Sequence, residues 1–460
     1  MKRQLETGIS IEFIDVCEKK FKSEPTNIIV RNAITSVGSI LSTIDSSKLN
    51  RLDHIFLNSV KKKSIKATNQ GQSGRCWMFA SLNIFRYILI NALDLNDFEF
   101  SETYLFFWDK FERSNQYLKW FIENLNLTAD DKPFDYMISD YMSDGGWWNT
   151  FTNLVMKYGL VPISAMKETF QSEDSEHMNF VIQNQLTSTI NYILKNKRKL
   201  NSDELSEIRK TSLENIYNIL VKFLGEPPKK FDWNFVINEE PNSITNLTPL
   251  DFLEMVIPDT DMKEDFVVLT NIPTSDMKMY QKYNVNLTSN VEGGFLFSFF
   301  NVPINEMTKY VSESITNGLA VWFAGDVTKC YNPYHACLDD KINQTENVFP
   351  KTFSFSKGER MTLKNIESCH AMLFTGFNKN EKNQIINWQV ENSWGYADKD
   401  EAGLDGFLTM SQSWFEKYVI KIVIHKKFLS RSFLKEMENS NSIQLEPWTN
   451  IAPQLLRIRK

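Results

Sequence analysis

Cysteine and histidine are scarce in this 460-residue chain, five of each. The cysteines, Cys17, Cys76, Cys330, Cys337 and Cys369, are odd in number and scattered, which argues against a disulfide framework and fits reduced thiols in the cytoplasm. Cys330, His335 and Cys337 fall close together, but their spacing is not a usual zinc pattern and a fourth ligand is missing. No metal and no cofactor is expected. A basic excess is also lacking: 51 Lys and Arg stand against 57 Asp and Glu, for a net charge of -6. Nucleic acid is therefore not the expected partner, and the triplet Lys61, Lys62 and Lys63 reads as a solvated surface turn. Long apolar runs are missing too. "GFLFSFF" at 294–300 is far too short to cross a bilayer, and the opening "MKRQLETGISIEFIDVCEKKF" has no apolar stretch of signal-peptide length. Neither membrane insertion nor secretion is expected.

What is present is a globular composition, 42% hydrophobic and 23% charged. No period of 20 to 50 residues repeats, so a solenoid is excluded. Residues 1–66 read as an N-terminal extension of short helical pieces. After Cys76, "WMFASLNIFRYILINAL" is apolar on every side apart from Asn83 and Arg86, the pattern of a buried central helix, within a helix-rich segment at 67–165. Residues 166–264 read as a helical insertion. Its best-punctuated helix spans 202–224, with Ser202 as N-cap, apolar residues at helical spacing, and Gly225, Pro227 and Pro228 as the stop. At 265–428 the character changes to strand-like runs: "FVVLTNI", "GGFLFSFFNVPI", "LAVWFAGDV", "AMLFTGF", "IINWQVENSW" and "KIVIHKKF". Residues 429–460 form a C-terminal arm. The fold class expected is α+β.

The stretch "TNQGQSGRCWMFASLN" places Cys76 between a turn-forming loop and an apolar helix, at a helix N-terminus that favours a thiolate. Taken alone, such a cysteine is more often a small buried hydrophobe; a partner base changes the reading. His54, His177 and His425 have no obvious orienting neighbour, whereas His370 opens the buried run "HAMLFTGF". The polar cluster "NKNEKN" after that run reads as a hairpin turn. With the turn centred near Glu381, His370 is expected opposite Asn392, whose amide can hold an imidazole in one orientation. Trp394 is placed to cover that contact from water. Gln70, six residues before Cys76, can donate beside the Cys76 backbone N–H to a developing oxyanion. The pair Gly145 and Gly146 in "SDGGWWNT" permits close approach of another backbone.

Taken together, "NQGQSGRCW", "CHAMLFTGF" and "VENSWG" resemble the active-site motifs of papain-like cysteine peptidases, and within them the bleomycin hydrolase (aminopeptidase C) family. "FSETYLFFWDKFERSN", "SDGGWWNTFTNLVMKYGLVP", "TPLDFLEMVIP" and "AVWFAGDVTK" extend the resemblance over most of the chain. The separation of Cys76 from His370 is about twice the roughly 130 to 150 residues usual for papain and cathepsins; the helical insertion matches the excess. The resemblance implies a papain-like fold: a helical half with the central helix, a β-barrel-like half, the insertion and the arm. It implies Cys76 as nucleophile, His370 as base and then acid, Asn392 as orienter and Gln70 as oxyanion donor, with a thiolate–imidazolium pair as in papain. Gly145, Gly146 and Trp394 are the implied substrate-binding residues. Two positions depart from the wider superfamily: Ser73 stands where secreted relatives have a disulfide cysteine, and Cys369 stands where papain has an acid before the histidine.

The resemblance further implies peptide substrates, a homohexamer, and a C-terminal arm in the cleft that makes the enzyme an aminopeptidase. "LEPW" at 445–448 looks like the start of that arm, but the chain then runs past the usual end to Arg457, Arg459 and Lys460. An endopeptidase with an ungated cleft and a catalytically idle oligomeric scaffold are the alternative readings.

Overall fold

The computed structural model describes residues 8–60, 65–139, 141–350, 353–395 and 404–449. Lys61, Lys62, Lys63, Arg457, Arg459 and Lys460 lie outside them. By internal contacts the chain divides into two units. The first, residues 1–53 with 339–354, contains the helices Ile11–Lys22 and Pro25–Val37. Neither helix buries a residue. Within this unit Gln344 donates to Asp45, and Asn343 donates to Ile40 O and Thr43 Oγ1.

The second unit, residues 54–338 with 355–460, holds the chemistry. Helix α1 (Cys76–Leu93) buries fourteen of its eighteen residues. Its length and apolarity alone would suit a membrane span, but its surroundings here are the protein core. Truncating a side chain such as Leu82, fully enclosed there, would cost about 2–5 kcal/mol. Around it pack α2 (Glu102–Glu123) and α3 (Trp148–Tyr158), and α4 (Glu176–Asn196) and α5 (Ser202–Leu224) pack on α2. Helix α5 spans the expected residues, but its cap is not Ser202. Asn201 is its N-cap, and a reciprocal bond pair with Glu204 satisfies two end groups. Gly225 at φ +86 closes it.

The strand runs form a sheet of twelve strands among the described residues. Its principal members are β1 (Phe266–Thr270), β2 (Gln281–Val285), β3 (Phe297–Asn301), β4 (Val321–Gly325), β5 (His370–Lys379), β6 (Ile385–Glu391), β7 (Phe407–Ser411), β8 (Val419–His425) and β9 (Ile443–Leu445). In space β9, β2, β3, β1, β8, β4, β5, β6 and β7 follow one another. Within the segment 429–460, the helix Arg431–Asn439 is followed by the edge strand β9, running parallel to β2, with Glu446 accepting from Asn286 Nδ2. Helix α1 packs on β5 and β4, so the sheet face toward α1 is where the two halves meet.

The insertion is not wholly helical. Phe231–Ile237 and Glu240–Leu247 form a separate hairpin. Both residues of its turn, Asn238 and Glu239, have positive φ, 52 and 65, the pairing of signs that a two-residue hairpin needs to match strand twist. Without a glycine there, the turn carried no strong sequence signal.

Candidate active site

Cys76 is the first residue of α1, after a loop whose shape is fixed by buried bonds. Arg75 is fully enclosed, donates from Nε to Ser73 Oγ at 2.8 Å, and grips Glu168 with both terminal nitrogens at 3.1 and 2.7 Å. Ser73 Oγ in turn donates to Gln70 O at 2.6 Å. The loop is held on its other side by Asp144: Gly74 N–H donates to Oδ2 at 3.2 Å, while Trp77 Nε1 donates to the Asp144 carbonyl at 2.8 Å. Burial opposes charge on Asp144, but Lys110 at 2.7 Å and bonds from Ser175 and Asn179 hold its carboxyl well below the usual range. Ser175 and Asn179 come from the insertion, which therefore braces the nucleophile loop.

A short backbone ladder joins that loop to the far side of the cleft. Gln70 N–H donates to Ser393 O at 2.8 Å, Asn69 and Trp394 form a bridge, and Gly395 N–H donates to Thr68 O at 3.0 Å. This zips Asn392, Ser393 and Trp394 onto the segment leading to Cys76. A second tie runs through Glu391, the last residue of β6. It accepts from Asn83 at 3.1 Å and Tyr87 at 2.8 Å and lies 3.5 Å from Arg86, all three on α1. The two polar interruptions of the apolar helix, Asn83 and Arg86, are thereby explained.

His370 Nε2 lies 2.8 Å from Asn392 Oδ1, which also accepts from Ser393 N–H at 2.8 Å. The amide oxygen can only accept, so Nε2 carries the proton and Nδ1 presents a lone pair. The N–H of Ala371, next along β5, points at Cys76 Sγ at 3.4 Å. Thiol and imidazole therefore share the mouth of one strand. The route to this contact is not the expected register. β5 and β6 pair Leu373 with Glu391, so continuing the ladder sets His370 opposite Trp394. The turn, closed by Asn380 N–H on Gln384 O, is centred one residue later than expected, the irregularities between Asn378 and Lys379 and between Phe374 and Gly376 offset each other, and Asn392 reaches the ring from beyond the strand end. Trp394 is 42% exposed, its ring 4.8 Å from that of His370 and tilted by 30°.

Gln70 has one of its two amide hydrogens on Ser73 O at 2.6 Å, and its oxygen accepts from Ser393 Oγ at 2.6 Å. One N–H remains for a ligand. Ser393 was not singled out in the sequence; its place between Asn392 and Trp394 was the available signal. Gly146 presses on the Trp77 indole, where a Cβ would come within 2.5 Å, and the Gly145 carbonyl accepts from Arg113 at 2.7 Å.

The electrostatics differ from the expected ion pair. Burial pushes the Cys76 thiol up to about 12, with the Ala371 and Trp77 N–H groups and Lys421 pulling the other way. Burial also pushes His370 down to about 4, opposed by its bond to Asn392. Enclosure favours the neutral form of each group, and so acts against the thiolate–imidazolium pair that the helix terminus favours. Cys76 Sγ makes its hydrogen bond with the Ala371 N–H and none with the His370 ring, whose nitrogen left open by Asn392 is the nearby group able to take a proton. Among the described residues no group of three or more His, Cys, Asp or Glu is arranged to hold a metal ion.

Comparison with known proteins places this geometry in context. The sequence profile of the Peptidase C1-like family matches residues 8–452. The chain is 32% identical over 445 residues to Aminopeptidase C of Listeria monocytogenes serovar 1/2a, covering 96% of this chain and 98% of that protein. It is 29% identical over 452 residues to human Bleomycin hydrolase, covering 96% and 98%. The crystal structure of PepW from Lactobacillus rhamnosis superposes with a TM-score of 0.91 at 27% identity, covering 97% of this chain and 99% of the other. The papain-like α+β assignment agrees with these matches.

Proposed function

The chain belongs to the Peptidase C1-like family and is a cysteine peptidase, and from that premise we propose the roles of its residues and its substrate. It is an aminopeptidase that removes N-terminal residues from peptides and related amides. Cys76 attacks the carbonyl carbon as its proton passes to His370 Nδ1, and the carbonyl oxygen becomes an oxyanion held by the Cys76 backbone N–H and the remaining Gln70 N–H. Collapse breaks the C–N bond, and the proton on His370 leaves with the amine. His370 then takes a proton from water, whose oxygen displaces the thiolate from the thioester. Asn392 keeps the ring in the tautomer that each step needs. Gly145, Gly146 and Trp394 are the substrate-binding residues of this reading.

The observation that carries this reading is the pair of contacts at one strand mouth: Asn392 on His370 Nε2 and Ala371 N–H on Cys76 Sγ. The five-part division of the chain, the homohexamer and the cytoplasmic setting belong to the same proposal, supported by the full-length match to the aminopeptidases. The test compares hydrolysis of one fluorogenic aminoacyl amide with its N-acylated counterpart. Strong preference for the free amine is expected; equal or reversed rates would replace the aminopeptidase with an endopeptidase. Cys76→Ala is expected to abolish turnover of either while leaving the fold intact, and substantial residual turnover would remove the nucleophile assignment.

A further inference from the structure

Lys421, on β8, is fully buried in the sheet half of the second unit, where a charge is costly unless something uses it. Its position relative to the thiol follows from register. Across β5, β4 and β8, the residues Ala371, Ala324 and Lys421 stand in line, and residues paired across strands present their side chains to the same face. Trp322 shares that face with Ala324, two residues away on β4. Its indole N–H donates to Trp77 O at 3.2 Å, in the first turn of α1. The face is therefore the one against which Cys76 sits, and Ala371 N–H is 3.4 Å from its sulfur.

Neighbouring strands lie about 4.8 Å apart, so two strand steps separate Lys421 from Ala371 by roughly 10 Å at the backbone. The two residues beside Lys421 in this row, Ala324 and Ala371, carry only methyl groups. No bulky side chain of the row therefore stands between Lys421 and Ala371. The ammonium rests on aromatic faces, 5.2 Å from the Phe297 ring centroid and 5.9 Å from that of Trp322, an arrangement that stabilises a cation. Burial pushes Lys421 down to about 7, and Cys76 is an ionisable group that pulls it back up. Reciprocally, Lys421 is among the groups that lower the thiol.

We propose that Lys421 is a positioning residue for the nucleophile: its ammonium, held on Phe297 and Trp322, stabilises negative charge on Cys76 Sγ as the proton leaves for His370. In this enclosed site a single cation acts with little screening. It supplies what the helix terminus alone does not, given the enclosure that favours the neutral thiol. A side chain needed only to fill space there would be better without its charge, since an apolar residue of similar volume avoids the desolvation cost. The inference rests on the assignment of Cys76 as nucleophile.

The experiment uses the full chain with Lys421→Met, Lys421→Gln and Lys421→Arg. The rate of iodoacetamide alkylation at Cys76 is followed by mass spectrometry across pH, beside kcat and KM for a fluorogenic aminoacyl amide. For Lys421→Met the alkylation profile is expected to move up by about one pH unit or more, roughly a tenfold loss of thiolate at fixed pH. The value of kcat falls with it, KM changes little, and Lys421→Arg restores most of both. Lys421→Gln, similar in length and neutral, gives the same answer should the Met variant not fold. A neutral variant with the wild-type alkylation profile, or one altered only in KM, overturns the inference. A wild-type chain in which Cys76 is not the fastest of the five thiols overturns the nucleophile assignment itself, a different result from a fast Cys76 indifferent to Lys421.

Discussion

His370 and Asn392 make a 2.8 Å contact without being partners in the β5–β6 ladder. The orienting amide sits past the strand end, held by the Ser393 N–H on its oxygen and by the backbone ladder to residues 68–70. Asn392→Ala should leave the hairpin paired while freeing the imidazole to rotate. Hydrolysis is expected to fall on the order of 100-fold. The pH profile gives a sharper reading. A neutral His370 is needed as base, so kcat/KM should show an acid limb near the value of about 4 to which burial brings it. The bond from Nε2–H to Asn392 favours the charged ring, so its removal lowers that value and moves the limb to lower pH. An unchanged limb in the variant would separate Asn392 from the base.

Gln70 is fastened at three of its four hydrogen-bonding positions only if a substrate oxyanion takes the last N–H. Ser73 O and Ser393 Oγ hold the other two groups in place. Gln70→Ala should therefore lower kcat by about 10²–10³-fold with KM little changed. Ser393→Ala removes one fastening bond and is expected to cost roughly tenfold. Steady-state kinetics on one amide substrate checks both, and a Ser393 variant worse than the Gln70 variant would contradict the stated order.

Glu391 joins the two halves of the site from behind. Removing its carboxylate strips a buried acceptor from Asn83 and Tyr87 and a counter-charge from Arg86. Glu391→Ala is expected to destabilise the protein by about 3 kcal/mol, read as a lower urea midpoint. Glu391→Gln, which keeps two acceptor positions, should recover part of the loss. A midpoint for the Ala variant equal to wild type would mean that the tie contributes nothing to stability.

How far the sequence foretold this arrangement can be judged from those residues. The central helix and the strand runs were legible because burial writes periodicity locally: an all-round apolar run for α1, short β-branched and aromatic runs for the sheet. Cys76, His370, Asn392 and Gln70 were legible as motifs. The register between His370 and Asn392 was not, because the turn closed by Asn380 and Gln384 is centred one residue beyond Glu381, which moves every cross-strand partner by two. The Asn201 cap was missed by one position beside an equally competent serine. The hairpin at 231–247 turns on Asn238 and Glu239 rather than glycine, and the length-averaged pattern around it is helical. Glu391, Ser393 and Lys421 act through contacts with partners hundreds of residues away or on other strands, which no local pattern encodes.

Gly146 allows a prediction that separates crowding from backbone strain. A methyl at this position would stand 2.5 Å from Trp77 Cε2 and 2.7 Å from Thr150 Oγ1. The indole has little room to yield, being fully buried with its N–H on the Asp144 carbonyl, and it directly follows Cys76. Gly146→Ala should cost about 1–3 kcal/mol by overpacking and also reduce activity, because any shift of Trp77 is passed to the nucleophile. Gly225 offers the contrast: at φ +86, with no atom within 4 Å of the point a Cβ would occupy, it needs glycine for its backbone alone. Gly225→Ala should then lose about 1 kcal/mol with kcat unchanged, since the end of α5 lies outside the chemistry. Thermal unfolding and kcat measured on both variants test the distinction. Equal effects on activity would mean that Gly146 serves only the fold.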